Sequence, residues 1–213
     1  VADHVDPQYH FWIKPGFSTP SWAKGAVFYQ IYVDRFFNGD TSNDVETDEY
    51  FYIGEGTEKV EDWNKYPAQM GVREFYGGDI AGVWQKLDYL QDLGVEVIYF
   101  NPIFVSPSNH KYDIQDYDYI DPHIGKIVKD EGELLKRSEQ GNLMCDPEHP
   151  NKNASRYICR VTDKENLEAS NQFFADFVEE AHKRGMKVIL DGVFNHCGSF
   201  NKWLDRECIY EDA

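Results

Sequence analysis

Closely spaced cysteine pairs of the kind that bind zinc are missing from this sequence. Its 213 residues contain four cysteines, and no two of them are spaced as CxxC, so a structural zinc site is not expected. Cys145 and Cys159 allow two interpretations, a disulfide in an exported protein or two free thiols in a cytosolic one. The sequence does not decide between them.

Basic residues and long apolar runs are also scarce. Lys and Arg number 21 against 38 Asp and Glu, which gives a formal net charge of −17. Binding to nucleic acid or to an anionic membrane surface requires clustered positive charge, so neither is an expected partner. A neutral substrate and bound hard cations are compatible with this charge. No segment reaches the roughly 18 consecutive apolar residues of a membrane span.

No signal peptide opens the chain, which begins with Val1. We therefore expect a processed or truncated protein, and its location stays open between the bacterial cytoplasm and secretion. What the sequence does have is aromatic residues, with 14 Tyr, 14 Phe and 5 Trp. They are expected either to fill the core or to line a cleft, where their faces can cover the apolar faces of sugar rings.

The hydrophobic pattern alternates between strands and helices. Apolar runs at 27–33, 95–100 and 186–190 predict three buried strands. Apolar residues at helical spacing predict an amphipathic helix before each of the last two strands, the first ending at Gly94 and the second at Gly185. Strands that alternate with helices in this way predict an α/β fold with a parallel sheet and right-handed crossovers.

Two long segments interrupt this pattern. Residues 37–79 are rich in Gly, Asp, Asn and Glu and predict a long loop of the kind that is usually functional or disordered. Residues 105–168 predict a large loop or subdomain that contains short strands and one charged helical piece near 129–139. The predicted organisation is a lead-in at 1–22, a first part of the main domain at 23–104, the insert at 105–168 and a continuation at 169–213.

The third predicted strand ends in polar residues, because residues 191–196 read DGVFNH. The carboxyl ends of parallel strands are where α/β barrels keep their chemistry. This stretch resembles the first signature block of the α-amylase family, glycoside hydrolase family 13. Similarity to the same family extends over residues 26–40 (AVFYQIYVDRFFNGD), 75–82 (FYGGDIAG), 101–117 (which includes SNHKYDIQDY) and 120–125 (IDPHIG).

The resemblance is closest to the neopullulanase, cyclomaltodextrinase and maltogenic amylase group of that family. It implies the first three strands of a TIM (β/α)8 barrel with a large insert after strand 2, and hence an incomplete barrel in this chain. It also implies part of an α-glucan hydrolase that cleaves α-1,4 and in some relatives α-1,6 bonds by a retaining double displacement. A glucanotransferase or isomerase on the same scaffold and a non-catalytic relative stay open as alternatives.

The resemblance assigns substrate contacts to four residues. His196 matches a residue that hydrogen-bonds the sugar where cleavage occurs, and Tyr112 matches one that stacks on that sugar. Asp191 is expected to organise the site, and His110 is a weaker candidate for substrate binding. The family's nucleophile and general acid follow later strands, and no matching motif occurs here. The chain alone is therefore expected to be inactive, and to need the rest of the barrel or a second chain for stability.

An oxygen-rich set of residues predicts a calcium site. Ca²⁺ takes about six to eight oxygen ligands from carboxylates, amides and carbonyls. The resemblance implies a set of six ligands: Asn38, Asp40, Asn43, Asp44, Gly77 through its carbonyl, and Asp79. From the residues alone, a solvated acidic turn is the alternative.

Overall fold

Nine strands and four helices are present in the computed structural model of the protein, which describes residues 14–210. In chain order the strands are β1 (Phe28–Ile31), β2 (Phe51–Tyr52), β3 (Glu55–Gly56), β4 (Glu58–Lys59), β5 (Glu74–Phe75), β6 (Val97–Phe100), β7 (Phe104–Val105), β8 (Asp116–Ile120) and β9 (Lys187–Leu190). The helices are α1 (Ile80–Gln85), α2 (Leu87–Asp92), α3 (Ser155–Thr162) and α4 (Lys164–Lys183). Most of the predicted lead-in, residues 1–13, lies outside the described residues, as do residues 211–213.

The main sheet is parallel and has the order β1-β6-β9. Phe28 lies opposite Val97, and Val97 lies opposite Lys187, so the three strands start and end level with one another. The three predicted strands are therefore confirmed, each shorter by one to three residues than the apolar run that predicts it. Because the strands run in one direction, the residues that follow them gather at one edge of the sheet.

Two helical segments cover the sheet and end as expected. Gly94 and Gly185 both have φ of 81°, the left-handed conformation that ends a helix without a Cβ clash. The first predicted helix is interrupted, however, because α1 ends at Gln85 and α2 starts again at Leu87. The core between helices and sheet consists of fully buried side chains, among them Ile31, Val83, Leu87, Ile98, Phe100, Phe177 and Ala181.

The predicted helical piece near 129–139 is wrong. This segment is irregular and contains an isolated bridge between Arg137 and Leu143. Gly132 has φ of 94°, and a Cβ there would lie 2.6 Å from the backbone nitrogen of Arg156. Arg137 forms an ion pair at 2.7 Å with Asp48, which lies far away in the sequence. Tertiary contacts thus override the local charge pattern that favours a helix.

The last part of the predicted insert, residues 105–168, is helical and contains α3 and the start of α4. α3 and α4 meet at Asp163, whose side chain accepts a hydrogen bond from the backbone N–H of Glu165 and caps α4. α4 is thus already helical at Lys164, and its first turns lie within the segment predicted to be the insert. Cys145 and Cys159 are free thiols in the structure. Within residues 14–210, no helix is both long and apolar enough to cross a membrane.

A chain of buried charges joins the long loop, the insert and α3. His123 is 4% exposed and lies between two carboxylates, with Nε2 at 2.7 Å from Glu49 and Nδ1 at 2.9 Å from Asp121. Arg160 donates to the far oxygen of Glu49 at 2.8 Å, and Lys111 to the far oxygen of Asp121 at 2.6 Å. With His123 protonated, three cations and two anions alternate along this line.

The outer end of this buried chain is closed by a further carboxylate. Asp130 accepts from the Arg160 Nε at 2.8 Å and from Arg156 at 2.6 Å, so it links the buried chain of charges to a more exposed ion pair. Buried charges are tolerated only when they are paired and hydrogen-bonded, and each member here has such a partner. The ring of Tyr157 stacks on His123 at 6.0 Å between centroids and helps to exclude water. These linked buried charges therefore hold the loop before β8 against the loop that follows β1.

The charge chain predicts a stability maximum between acidic and alkaline pH. The carboxylates of Glu49 and Asp121 raise the pKa of His123 against the opposing effect of burial, while His123 and Lys111 hold the pKa of Asp121 well below its usual range. His123 thus stabilises fully below its unfolded pKa of about 6.5 and loses this contribution as pH rises through the higher folded value. Asp121 stabilises above about pH 4 and loses its contribution as pH falls further.

The measurement is the free energy of unfolding in urea, determined from acidic pH, below about 4, to alkaline pH. Substitution His123→Asn is expected to lower stability at neutral pH by about 3 kcal/mol, because it removes a cation that both buried carboxylates contact and leaves only Arg160 and Lys111 to compensate them. It should also reduce the alkaline decline. The exposed histidine His182 on α4 supplies the control, His182→Asn. If the free energy of unfolding depends on pH in the same way in both variants, protonated His123 does not stabilise the fold.

Candidate functional site

Asp191 organises the residues at the carboxyl end of the main sheet. Its backbone N–H donates to the carbonyl of Phe100 at 3.2 Å, so it directly continues the pairing of β9 with β6. One carboxylate oxygen accepts from the Tyr99 hydroxyl at 3.0 Å and from the Tyr112 hydroxyl at 3.1 Å. The other accepts from the backbone N–H of Val193 at 3.1 Å. A strand end, the neighbouring strand and a distant loop therefore meet on one carboxylate.

His196 is held by the same loop. Its Nε2 lies 3.0 Å from the carbonyl of Tyr112, so this nitrogen donates and carries the proton. Its Nδ1 then accepts from the side-chain amide of Asn195 at 2.6 Å. The backbone carbonyl of His196 accepts from the Tyr117 hydroxyl at 2.6 Å. The imidazole is exposed, but its Nε2–H is already engaged by the carbonyl of Tyr112.

Tyr112 lies in a loop whose neighbouring residues are held by buried contacts. Lys111, next to it, has φ of 57° and is 3% exposed, and its ammonium donates to Asp121 in the buried charge chain. Asp113 accepts hydrogen bonds from Ser106 and Ser108 and a short one from the Tyr52 hydroxyl. Such contacts on both sides of Tyr112 limit its backbone to one conformation.

His110 completes the group of four predicted contacts. Its Nδ1 accepts from the backbone N–H of Tyr112 at 3.1 Å and also lies 3.1 Å from the Ser108 oxygen, whose single proton goes to Asp113. Partial burial lowers the pKa of His110, so the neutral ring is favoured and Nε2 carries a proton. The rings of His110 and Tyr112 lie 6.0 Å apart between centroids. His110, Tyr112, Asp191 and His196 thus share one surface, which we call the strand-end wall.

The predicted calcium ligands lie elsewhere, where the loop after β1 packs on the start of α1. Asp79 caps α1, and one oxygen accepts from the N–H of Gly82 at 2.6 Å and from that of Gly39 at 2.9 Å. Its other oxygen accepts from the Asn43 amide at 3.2 Å. Burial raises the pKa of Asp79 to about 6, and it also raises the pKa of Asp44.

Two buried oxygens in this cluster have no partner within residues 14–210. They are the side-chain amide oxygens of Asn38 and Asn43. An unpaired buried acceptor costs roughly 1–3 kcal/mol, so each needs an explanation. The amide nitrogen of Asn38 donates to Asp44 at 2.8 Å. A Cβ at Gly77 would come within 2.4 Å of both Asn38 and Asp44, so the Gly77 backbone lies against this pair.

The remaining predicted ligand, Asp40, is engaged by other donors. Asp40 accepts from the Lys126 ammonium at 2.7 Å and from the Ser42 hydroxyl at 2.6 Å, and these bonds lower its pKa. Lys59 also lies 3.3 Å from Asp44. Among the described residues, no group of three or more His, Cys, Asp or Glu side chains is placed to hold a metal ion. An ion here would need amide and carbonyl oxygens in addition to the carboxylates, and an all-oxygen set of this kind suits Ca²⁺ and not zinc.

The geometry described above is that of an α/β domain with its polar residues at the carboxyl ends of parallel strands. The sequence matches the family described as the α-amylase catalytic domain over residues 30–145 and 169–212. The chain belongs to this family, which confirms the resemblance stated from the motifs.

Named relatives agree with this assignment. The chain is 40% identical to neopullulanase 2 of Thermoactinomyces vulgaris over 182 residues, which cover 85% of this chain and 21% of the relative. It is 35% identical to an amylopullulanase of Thermoanaerobacterium saccharolyticum, covering 92% of this chain and 13% of that protein. Among solved structures, the type III pullulan hydrolase from Thermococcus kodakarensis matches with a TM-score of 0.59 at 32% identity, over 86% of this chain and 25% of that one. The chain thus spans a quarter or less of these relatives.

Sequence reasoning missed two tyrosines that hold the strand-end wall in place. Tyr99 shares Asp191 with Tyr112, and Tyr117 fixes the backbone of His196. The position of Tyr99 at the end of β6, next to the end of β9, is a signal that the strand pattern contains. No comparable signal marks His123 and Glu49, because 74 residues separate them.

Asp191→Asn tests how the strand-end wall is held together. The amide keeps the shape of the carboxylate but loses its charge and one acceptor oxygen, so it can accept from the two tyrosine hydroxyls or from the Val193 N–H but not from both sides. We expect a loss of about 1–2 kcal/mol in the free energy of unfolding, since hydrogen bonds to charged groups are the stronger ones. Asp92→Asn at the exposed end of α2 is the matched control. An unchanged stability in Asp191→Asn would contradict the organising role.

Proposed function

We propose that this chain contributes one wall of the substrate cleft of an α-glucan hydrolase. The observation that carries the proposal is the convergence of Tyr112, Asp191 and His196, from two separate segments, on one hydrogen-bonded surface at the carboxyl end of the sheet. Tyr112 offers a ring face for a pyranose, and imidazole N–H groups offer donors to its hydroxyls. Names of relatives that act on pullulan and cyclic maltosides support a neutral α-glucan as substrate.

His196 would change its hydrogen bond when sugar binds. Its Nε2 proton now goes to the Tyr112 carbonyl, and a sugar hydroxyl would take over or share that proton. His110 is better prepared, because its Nδ1 already accepts from the backbone N–H of Tyr112 and its Nε2 proton has no partner within the described residues. The wall would therefore bind sugar with one free donor and one exchangeable donor.

The parent protein would cleave by double displacement through a covalent glycosyl-enzyme. That reaction needs two carboxylates about 5–5.5 Å apart, a nucleophile and a general acid. We assign neither role to a residue of this chain, because no motif of the kind that carries them occurs in its sequence. Asp191 is already committed to three donors and suits a positioning role.

The main sheet would form the first three strands of a (β/α)8 barrel. Both outer strands carry exposed apolar side chains, with Phe28 of β1 47% exposed and Leu190 of β9 36% exposed. In a closed barrel each such edge pairs with a further strand, which removes unpaired backbone groups from water. The rest of the barrel, or a second chain, would supply these strands and stabilise the fold.

Binding of maltohexaose to the purified chain tests this proposal. Tyr112→Ala and His196→Ala should each weaken binding by about fivefold in Kd, since one aromatic or hydrogen-bonding contact is worth roughly 1 kcal/mol. Tyr66→Ala and His182→Ala, at exposed positions away from the wall, are the matched controls. The chain should release no reducing sugar. Binding that survives both wall substitutions would refute the proposal, and rapid hydrolysis by the pure chain would refute its lack of a nucleophile.

We further propose that Asn38, Asn43, Asp44, Asp79 and the Gly77 carbonyl hold Ca²⁺, with Asp40 the least suited of the predicted set. The two unpartnered amide oxygens support this proposal, because a hard cation is the partner that they lack. Bound calcium would supply charge compensation for the buried Asp44 and Asp79 and would tie the loop after β1 to the start of α1.

Removal of calcium is expected to loosen residues 37–79. At a concentration of 100 times its Kd, a bound ion stabilises by about 2.7 kcal/mol, so adding chelator should lower Tm and speed proteolysis in this loop. Asn38→Ala should abolish the calcium-dependent shift of Tm. Asn64→Ala, at an exposed position of the same loop, should keep it. Chelator without effect on the wild-type chain would count against the site.

A further inference from the structure

Two aromatic rings beside the strand-end wall form a flat surface that has no role in the function proposed above. The rings of Tyr117 and Trp203 are stacked, with centroids 5.9 Å apart and planes inclined by 15°. Trp203 is 72% exposed. A large aromatic side chain left in water forfeits the free energy of burial, and exposed aromatic patches therefore often mark binding surfaces.

Both rings are held in fixed positions. The Tyr117 hydroxyl donates to the backbone carbonyls of Val193 at 3.1 Å and His196 at 2.6 Å. Lys202, next to Trp203, pairs with Asp116 at 2.7 Å, and its backbone N–H donates to the Gln115 carbonyl at 2.9 Å. Segments on both sides of the stack are thus tied to β8. A ligand that stacks on these rings would lose little of its affinity to ordering them.

An open pocket of about 440 Å³ adjoins this stack. It is lined by Tyr117, Phe194, Asn195, His196, Cys197 and Trp203. Its volume lies within the range of about 300–1,000 Å³ that small-molecule sites occupy. The lining combines aromatic faces with the amide and imidazole groups of Asn195 and His196. It contains no carboxylate, Lys or Arg, so the chemistry suits a neutral ligand with both apolar faces and hydroxyl groups.

We propose that Tyr117 and Trp203 form a second glucosyl subsite, next to the one that His196 and Tyr112 serve. The occupant is a further residue of the same α-glucan chain, whose apolar pyranose face would lie on the indole of Trp203. His196 lines this pocket and also contacts Tyr112, so one chain of sugars can pass from one subsite to the other. This subsite rests on the proposed function and gives it a specificity for longer oligosaccharides.

The test compares ligands of different length. Maltose and maltohexaose are titrated into the 213-residue chain, and the ratio of their Kd values reports how much the longer ligand gains from added subsites. Trp203→Ala is expected to weaken maltohexaose binding by about tenfold and to change maltose binding little. The ratio of the maltose Kd to the maltohexaose Kd should therefore fall by about tenfold. Trp22→Ala removes another exposed indole, 44% exposed and located before β1, and should leave the ratio unchanged.

Conservative variants separate the ring from its hydrogen bonds. Trp203→Phe should retain part of the length dependence, because it keeps an aromatic face, whereas Trp203→Leu should not. Tyr117→Phe keeps the stack but releases the His196 backbone, so it should weaken both ligands and preserve the ratio. Cellohexaose, of equal length but β-linked, is the ligand control and should bind without dependence on Trp203.

The possible results distinguish this subsite from the strand-end wall. If Trp203→Ala binds maltohexaose as well as Trp22→Ala does, while His196→Ala has lost binding, the subsite is rejected and the wall stands. If the wild-type chain binds neither oligosaccharide, both proposals fail. A loss of maltose and maltohexaose binding by equal factors in Trp203→Ala would assign the indole a structural role and would also overturn the subsite.

Discussion

The position of His123 between two buried carboxylates is the constraint on which the rest of the structure depends. Glu49 comes from the loop after β1 and Asp121 from the end of β8, and the imidazolium between them compensates both buried charges at once. Through Lys111 the same line reaches the backbone next to Tyr112, and through Arg160 it reaches α3. The loop that presents the candidate sugar contact is therefore fixed by electrostatics from within the protein and not only by the strand that precedes it.

The regular part of the fold follows from local sequence patterns, and the irregular part does not. Apolar runs identify β1, β6 and β9, and Gly94 and Gly185 mark helix ends, because strand burial and left-handed glycines are properties of a few adjacent residues. Residues 129–139 carry a charge pattern that favours a helix, yet Arg137 pairs with Asp48, 89 residues earlier in the chain. Pairings over such distances leave no periodicity in the sequence, which is why the helix prediction there fails.

The candidate site also combines features that local motifs indicate with contacts that they do not. Tyr112, Asp191 and His196 could be predicted because they lie in contiguous motifs, and their meeting at one sheet edge follows from the parallel order of the strands. The buried amide oxygens of Asn38 and Asn43 agree with an oxygen-rich loop, but the turning of Asp40 toward Lys126 depends on a residue 86 positions away. Trp203 is a candidate binding residue because its ring stacks on that of Tyr117. Sequence spacing does not indicate this contact.

The hydrogen bonds around His196 close a ring of contacts. Tyr112 bonds to Asp191, the chain passes from Asp191 to His196, and His196 bonds back to Tyr112, while Tyr117 bonds to the His196 carbonyl from outside. In a closed ring no member can shift without straining two others, so thermal fluctuations of the loop after β9 and of the loop before β8 should be correlated. The two segments would then approach or leave a ligand as one rigid body, and the entropy of ordering them is already spent in the unliganded protein.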